Sequence, residues 1–279
     1  MKPTSLLMAA SLIACPAFTL AQPTATAAET AQSIQHPWKG KKVGYIGDSI
    51  TDPNCLTNVK RYWSFLQDWL GITPWVYGVN GREWNDVPRQ AEALKKEHGN
   101  EVDAVVVLIG TNDFNAGVPI GSWYTEKEEQ VATGLGSAQR METRKHRTPA
   151  LTDDTFKGRI NKGLGQLKAL FPDKQIVLLT PLHRAFATFG DTNVQPDESY
   201  QNRCGEYFDA YVQAIKEAGN VWGVPVIDLN AASGLSPMMQ EHIAYFCNPE
   251  TDRLHPNTEG HKRIARTLMY QLLALPCAF

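Results

Sequence analysis

The sequence predicts an α/β fold in which helices cover both faces of a parallel sheet. From Trp38 onward, short apolar runs alternate with segments that carry apolar residues at helical spacing. The run "VDAVVVLIG" at residues 102–110 is almost continuously apolar, as expected for a central strand that is buried on both faces. Alternation at this spacing favours strand–helix–strand crossovers, whose right-handedness places helices on both sides of the sheet.

The first four elements are predicted from apolar runs and their spacing. "KKVGYIG" (41–47) is an apolar run that ends in a glycine and is predicted as a strand. "VKRYWSFLQDWLGI" (59–72) repeats apolar residues at helical spacing and is predicted as a helix. "PWVYGVNG" (74–81) is a short second strand, and "NDVPRQAEALKKEHG" (85–99) is a helix with a polar face. The strand at 102–110 follows.

The second half of the chain continues the alternation. "FKGRINKGLGQLKALF" (156–171) has four apolar residues on one helical face: Phe156, Ile160, Leu164 and Leu167. "KQIVLLT" (174–180) is the fourth strand, "YFDAYVQAIKEAG" (207–219) a helix, and "VPVIDL" (224–229) the fifth strand. A last helix is predicted from the spacing of Ile264, Ala265, Leu268 and Leu272.

Length and composition describe an ordinary globular protein. The chain has 279 residues, of which 43% are hydrophobic and 20% charged, so it can bury a full core. A formal net charge of −2 gives no electrostatic reason to expect a nucleic-acid partner. Since neither an internal repeat nor a second-domain boundary is visible, residues 38–279 are predicted to form a single domain.

The N-terminal residues are predicted to direct export. Residues 1–21 have one charge, then an apolar stretch, then small residues, which is typical of a signal peptide cleaved after Ala21. "LIAC" (12–15) also resembles a bacterial lipoprotein box, which would leave a lipidated Cys15 as the new N-terminus. Residues 22–37 are small and polar and are predicted to be a flexible tether. We therefore expect a periplasmic or extracellular protein with no transmembrane segment in the mature chain.

The four further cysteines could form two disulfides or remain free thiols. Cys55, Cys204, Cys247 and Cys277 are an even number in an exported chain, which permits two disulfides and leaves their pairing open. Four buried free thiols are an equally good interpretation, because a domain of this size needs no covalent cross-links. Their wide spacing contains no CxxC pair and does not indicate a metal site.

Polar motifs follow the predicted strands. "GDSIT" with Ser49 follows the first strand, "GVNGREW" with Gly81 comes at the end of the second, and "GTND" with Asn112 follows the third. "TDRLHPN", with Asp252 and His255, lies past the fifth strand and before the last helix. Since ligands bind beyond the carboxyl ends of parallel strands, we expect all four motifs to meet at one edge of the sheet.

These residue types suit nucleophilic catalysis. A serine hydroxyl needs an adjacent base, which His255 supplies, and Asp252 holds the imidazole in the useful tautomer. The oxyanion of a tetrahedral intermediate needs hydrogen-bond donors, and we predict the backbone N–H groups of Ser49 and Gly81 and the side-chain amide of Asn112. Each residue alone has a structural interpretation, and a metal site at Asp252 and His255 lacks a third ligand cluster. The presence of all four motifs in this order favours a catalytic role over these structural interpretations.

The four motifs resemble the blocks of the SGNH, or GDSL, hydrolase superfamily. "GDSIT", "GVNG", "GTND" and "DRLHPN" match these blocks in order, from about Lys41 to the end of the chain. The resemblance implies a flavodoxin-like, three-layer α/β/α fold with five parallel strands. It also implies ester hydrolysis without a metal or other cofactor, with Ser49, Asp252 and His255 as catalytic residues and Ser49, Gly81 and Asn112 as the oxyanion hole.

One segment departs from the family pattern. Residues 114–152 are longer than the family core requires, and we expect this insertion to form one wall of the substrate cleft. Aromatic residues in loops after the second and third strands and a histidine at the end of the fourth are candidate substrate contacts, with core packing as the alternative. These residues are Trp84, Trp123, Tyr124 and His183.

The sequence therefore predicts an exported serine esterase that acts on an acylated small molecule or polysaccharide. We expect small acyl groups, acetyl first, on a carbohydrate. The alternatives are a lipase, lysophospholipase or thioesterase for longer chains, and a non-catalytic glycan-binding module on the same scaffold. The insertion is not apolar enough to indicate a lipase lid, and no motif is missing as expected for a degenerate module. The oligomeric state does not follow from the sequence.

Overall fold

The computed structural model describes residues 35–276. The predicted signal peptide and most of the predicted tether therefore lie outside the described residues. The helices and strands, in chain order, are β1 (Lys42–Gly47), α1 (Tyr62–Leu70), β2 (Thr73–Val76), α2 (Val87–His98), β3 (Ala104–Leu108), α3 (Thr111–Asn115), β4 (Tyr124–Thr133), β5 (Arg140–Pro149), α4 (Phe156–Leu170), β6 (Gln175–Leu179), β7 (Ala187–Thr188), β8 (Val194–Gln195), α5 (Phe208–Trp222), β9 (Val226–Ile227), α6 (Leu229–Ala232), β10 (Phe246–Asn248), β11 (Asp252–Pro256) and α7 (Thr258–Gln271).

Five parallel strands form the central sheet. Their order is β2-β1-β3-β6-β9, and each neighbouring pair is parallel. All five residues of β3 and all five of β6 are buried, because these central strands have helices on both sides. This confirms the predicted α/β fold and its five parallel strands.

Helices cover the sheet in two layers. Helices α1 and α7 pack together on one face, and α2, α4 and α5 pack on the other. Alternate residues along β3 enter opposite cores: Val105 and Val107 face α4 and α5, whereas Val106 and Leu108 face α1 and α7. The resulting three layers are the predicted α/β/α arrangement. Among residues 35–276, no helix is both long and apolar enough to cross a membrane.

The fold begins close to where the alternating pattern begins. Trp38 is completely buried, and its indole N–H donates to the carbonyl of Leu275 at 2.5 Å. His36, at the end of the predicted tether, is hydrogen-bonded to the carbonyl of Met269 at 2.7 Å. These contacts hold the start of the domain against the end of α7.

A second, antiparallel sheet was not predicted from the sequence. Its order is β10-β11-β7-β8, and its strands are two to five residues long. Strands this short have too few residues to show period-two alternation, so their pairing depends on contacts that are distant in the chain. This sheet matters for function because β11 carries Asp252 and His255.

The cysteines in the described part of the chain are free thiols. Cys55 and Cys247 are half-buried, whereas Cys204 is exposed, which corrects the expectation of buried thiols at that position. Cys277 lies outside the described residues. Among Cys55, Cys204 and Cys247, the free-thiol alternative holds.

Candidate active site

The first strand ends in a turn that only glycine can make. A Cβ atom at Gly47 would lie 2.5 Å from the carbonyl oxygen of Leu108 and 2.5 Å from the hydroxyl of Thr51. After this glycine, the Asp48 carboxylate accepts the backbone N–H of Ile50 at 3.0 Å. The turn places Ser49 at the carboxyl end of β1, where the side chain is 3% exposed.

Ser49, His255 and Asp252 form a continuous hydrogen-bonded chain. Ser49 Oγ lies 2.9 Å from His255 Nε2, and His255 Nδ1 lies 2.9 Å from Asp252 Oδ2. Asp252 Oδ1 also accepts the backbone N–H groups of Leu254 and His255, at 3.2 and 3.0 Å. Since both imidazole nitrogens are engaged, the carboxylate holds the Nδ1–H tautomer and leaves Nε2 able to take a proton from the serine.

The three predicted oxyanion donors line one cavity with Ser49 and His255. The backbone N–H groups of Ser49 and Gly81 donate to no other described residue. Gly81 has a φ of +76°, a conformation that suits glycine. One N–H of the Asn112 amide donates to the carbonyl of Arg82 at 2.9 Å, which orients the group and leaves its second N–H available. The sequence motifs are thus brought together at one edge of the sheet.

Two carboxylates, those of Asp52 and Asp113, accept backbone N–H groups of the loop at residues 80–84, which contains Gly81. Asp52 Oδ2 accepts the backbone N–H of Asn80 at 2.8 Å, immediately before Gly81. Asp113 is completely buried and accepts the backbone N–H of Trp84 at 3.0 Å and a guanidinium N–H of Arg159 at 2.9 Å. Burial raises the pKa of Asp113 to about 7, despite the opposing effect of Arg159. These bonds connect the segments that carry Gly81 and Asn112.

The cavity beside Ser49 has a volume of about 380 Å³. Five carboxamide side chains and one carboxylate line it, together with a few apolar groups. The polar set is Asn80, Asn112, Asn115, Asn193, Gln195 and Glu83. Phe189 is the large apolar member, and its ring packs edge-on against the imidazole of His255 with centroids 5.4 Å apart. The site therefore combines a serine hydroxyl with a small cleft that is lined by both carboxamide and apolar groups.

A family model of GDSL-like lipases and acylhydrolases matches residues 45–263, which includes every residue of the site described above. The chain belongs to the GDSL-like lipase/acylhydrolase family. It is a carboxylic ester hydrolase, in agreement with the mechanism that the four motifs predict.

Solved structures share the fold of this GDSL hydrolase at low identity. A protein from Lactobacillus plantarum has a TM-score of 0.64 and 22% identity, over 85% of this chain and 98% of that one. A possible lipase from Chitinophaga pinensis has a TM-score of 0.60 and 20% identity, over 85% and 99%. A catalytic mutant of an acetylxylan esterase from Geobacillus stearothermophilus has a TM-score of 0.51 and 18% identity, over 86% and 97%. No curated protein sequence matches the chain.

The four expected substrate contacts of this GDSL hydrolase lie outside the cavity. Trp84 is 1% exposed and packs in the core against α4, so it cannot stack on a ligand. Trp123 donates its indole N–H to Glu217 at 2.8 Å on α5. These two positions correct the sequence-based expectation, because core packing and a helix contact already occupy the rings.

Tyr124 and His183 also have other partners. Tyr124 starts β4, and the guanidinium of Arg147 lies 4.2 Å from its ring centroid. His183 Nδ1 lies 2.6 Å from a carboxylate oxygen of Glu198, and this hydrogen bond raises the pKa of His183. Neither side chain lines the cavity beside Ser49, so a contact with substrate there stays a prediction.

The insertion contributes to the cleft only at its beginning. Asn115 and Ala116 line the cavity, but residues 124–149 form the hairpin β4–β5, whose strands pair with each other along ten residues each. Side chains across the hairpin interact through polar groups, as Lys145 does with Glu126 at 3.6 Å and His146 with Glu129 at 2.5 Å. The predicted wall is therefore replaced by a charged hairpin at the side of the domain.

One wall of the cavity beside Ser49 comes from the β7–β8 hairpin, which was not predicted from the sequence. Phe189, Asn193 and Gln195 belong to "ATFGDTNVQ", a segment without a family motif or a periodic pattern. The hairpin pairs with β11 through Ala187 and Asp252, and this pairing brings its side chains close to His255. The only sequence signal was indirect, since the segment follows a strand that ends at the active edge.

Burial of Asp48, next to the nucleophile, predicts a pH-dependent stability. Burial raises the pKa of Asp48 to about 6, although the backbone N–H of Ile50 donates to the carboxylate. Because this pKa is higher in the folded chain than in the unfolded one, the protonated carboxyl favours the folded state. That contribution is complete below about pH 4 and is lost as the pH rises to about 6.

We therefore expect Asp48→Asn to gain stability over the wild type by about 3 kcal/mol between pH 4 and pH 7. The measurement is urea unfolding of both proteins across this range. His261, whose pKa burial lowers well below its usual value, acts in the opposite direction in both proteins and cancels in the difference. A free-energy difference that stays constant with pH would contradict the prediction.

Proposed function

We propose that this protein is a serine esterase that removes small acyl groups, acetyl first, from carbohydrate. Ser49 Oγ attacks the ester carbonyl while His255 Nε2 takes its proton, and the tetrahedral oxyanion accepts the N–H groups of Ser49, Gly81 and Asn112. The proton on Nε2 then passes to the departing alcohol, which leaves the acyl group on Ser49. Water, deprotonated by His255, hydrolyses this ester and releases the acid.

The composition of the cavity carries the substrate proposal. Five carboxamide side chains line it, and such groups donate to and accept from the hydroxyl and ring oxygens of a sugar. A volume of about 380 Å³ is at the small end of the range for ligand sites, and a long acyl chain would need a longer apolar surface. The cavity thus favours a short acyl group on a polar alcohol.

Two further observations are consistent with this substrate class. One solved structure with the same fold is an acetylxylan esterase, although a likeness at 18% identity concerns the fold alone. The signal-peptide pattern at residues 1–21 predicts export to a compartment where polysaccharides are available. Neither observation outweighs the cavity, on which the proposal depends.

A chain-length series tests the proposal. We expect kcat/KM to be highest for 4-nitrophenyl acetate and to fall at least about tenfold for the decanoate, because a cavity of about 380 Å³ is too small to enclose the longer chain. The wild type should also release acetate from acetylated xylan, measured by the acid released. Ser49→Ala is the control for background hydrolysis. A preference for the decanoate, or no acetate from acetylated xylan or other acetylated polysaccharides, would refute the carbohydrate assignment.

A further inference from the structure

A buried cation lies behind the wall formed by the β7–β8 hairpin. The side chain of Arg184 is 1% exposed. The carboxylates of Glu198 and Asp48 attract its charge, but neither accepts a hydrogen bond from the guanidinium in the described part of the chain. Its Nη1 donates to the carbonyl and hydroxyl oxygens of Thr111, at 3.1 and 3.2 Å. Its Nη2 donates to Gln195 Oε1 at 2.8 Å. Neutral oxygens therefore accept the hydrogen bonds of this charge.

This cation determines which way the neighbouring amides point. A guanidinium has only donors, so the atom of Gln195 that faces Arg184 must be the carbonyl oxygen. The amide nitrogen of Gln195 then faces Asn193, where Oδ1 accepts it at 3.0 Å. Asn193 in turn must present its NH2 group elsewhere. That group makes no hydrogen bond to another described residue, and Asn193 is an exposed residue that lines the cavity.

We propose that Arg184 is a positioning residue that acts through Gln195 to hold Asn193 with its N–H donors toward the substrate. The hydrogen bonds from Arg184 to Gln195 and from Gln195 to Asn193 fix the orientation of both amides, so the buried charge determines which atoms of Asn193 face the rim of the cleft. A free asparagine at a protein surface can turn its amide and offer either an acceptor or a donor. Here Oδ1 faces Gln195 and accepts from it, which fixes the orientation of the amide and leaves its two N–H groups free to donate at the wall.

Donors at this wall select oxygen-bearing substrates. An ether, hydroxyl or carbonyl oxygen on the ester can accept from Asn193, whereas a methylene in the same place leaves the donor unpaired. The site therefore discriminates by polarity between alcohols of the same size. This inference deepens the proposed function, since the ring and hydroxyl oxygens of a sugar are acceptors of this kind.

A pair of esters that differ in one atom tests the inference. 2-Methoxyethyl acetate and butyl acetate have the same number of heavy atoms, and an ether oxygen in one replaces a methylene in the other. The readout is the ratio of their kcat/KM values, in which any general change in the catalytic groups cancels. We expect Asn193→Asp, which replaces the donor by an acceptor of the same shape, to lower this ratio about three- to tenfold. Because Asn193 is exposed, the variant is expected to fold.

A second variant changes the polarity without altering Asn193. In Gln195→Glu, one carboxylate oxygen pairs with Arg184 and the other must accept, so Asn193 has to turn its NH2 inward and present its oxygen to the cavity. The ratio should fall as it does in Asn193→Asp. If this variant does not fold, Gln195→Met, which frees Asn193 to turn, should lower the ratio about twofold. Asn220→Asp is the matched control on an exposed turn of α5 and should leave the ratio unchanged.

The ratios measured for the Asn193 and Gln195 variants decide whether Arg184 positions Asn193. An unchanged ratio in both Asn193→Asp and the Gln195 variant would overturn the inference. A fall in Asn193→Asp alone would also overturn it, since the donor would then not depend on the chain from Arg184. The test uses small esters and a ratio, so it can fail while the acetylated-xylan assay succeeds. The reverse outcome, a lower ratio without activity on acetylated polysaccharide, would retain Arg184 as a positioning residue and reject only the carbohydrate substrate.

Discussion

Replacing Ser49 with alanine should reduce kcat for 4-nitrophenyl acetate by at least about 10⁴-fold, because the acyl-enzyme cannot form without the hydroxyl. The hydroxyl lies 2.9 Å from His255 Nε2, and no other serine lines the cavity in the described part of the chain. The fold should persist, since the change removes one oxygen from a side chain whose hydroxyl, among residues 35–276, bonds only to His255. The double variant with His255→Ala should be no slower, because groups that act as a unit do not have additive effects.

Covalent labelling separates loss of chemistry from loss of structure. Wild-type protein treated with an alkyl fluorophosphonate should gain one adduct by intact mass, mapped to the peptide that contains Ser49. Ser49→Ala should gain none and should keep the thermal unfolding temperature of the wild type within a few degrees. Ser137→Ala, at an exposed position in the β4–β5 hairpin, is the matched control and should retain full rate and labelling. Wild-type turnover by a folded Ser49→Ala variant would reject the whole mechanism.

Replacing Asp252 with asparagine should have the next largest effect, a loss of about 10³- to 10⁴-fold in kcat, similar to the loss known for a triad aspartate. The local hydrogen bonds explain the expected size. Two backbone N–H groups, those of Leu254 and His255, donate to Asp252 Oδ1, so the carbonyl oxygen of an asparagine would take that position. Its NH2 group would then face His255 Nδ1 and donate to it. The imidazole would carry its proton on Nε2, which points at Ser49 and could no longer accept a proton.

The tautomer can be observed directly. In the wild type, ¹⁵N NMR of labelled histidine should show neutral His255 protonated at Nδ1, and in Asp252→Asn it should show protonation at Nε2. Asp173→Asn, a change at an exposed aspartate beside Lys174, should alter neither the spectrum nor the rate. A large loss of rate with the Nδ1–H tautomer retained would contradict the tautomer argument. A rate equal to that of the wild type would remove Asp252 from the mechanism.

The central sheet and the reacting groups were predictable because their signals are local in the chain. The apolar runs that become β1, β3 and β6 are continuous, since each strand is buried on both faces, and helix periodicity marked α4 and α7. The parallel arrangement then sends every strand end to one edge of the sheet. For this reason Ser49, Gly81 and Asn112, which follow three different strands, could be predicted to meet. His255 lies on β11 of the second sheet, and its place at this edge was predicted from the order of the motifs.

The substrate contacts were not predictable in the same way. An aromatic residue in a loop looks the same in sequence whether it enters the core, as Trp84 does, or covers a helix, as Trp123 does. Burial is decided by the neighbours that folding brings, and these neighbours come from α4 and α5. The residues that do line the cleft, such as Asn193 and Gln195, lie beside or within the two-residue strand β8. This strand pairs with β7, which in turn pairs with β11, more than fifty positions further along the chain.

The sequence by itself determined the layered α/β fold and the order of its central elements, as well as the family and the chemistry of ester hydrolysis. Periodicity reports burial within one element, and the motif residues are defined by their reactive groups, so both can be read without coordinates. The tertiary structure alone decided which side chains face the substrate and in what orientation. Asn193 presents its N–H donors because Gln195 donates to its oxygen. The orientation of Gln195 is in turn fixed by Arg184, which lies nine positions before Asn193 on the buried side of the same wall. Such an orientation is a property of packed neighbours and their hydrogen bonds, which form only once the β7–β8 hairpin pairs with β11.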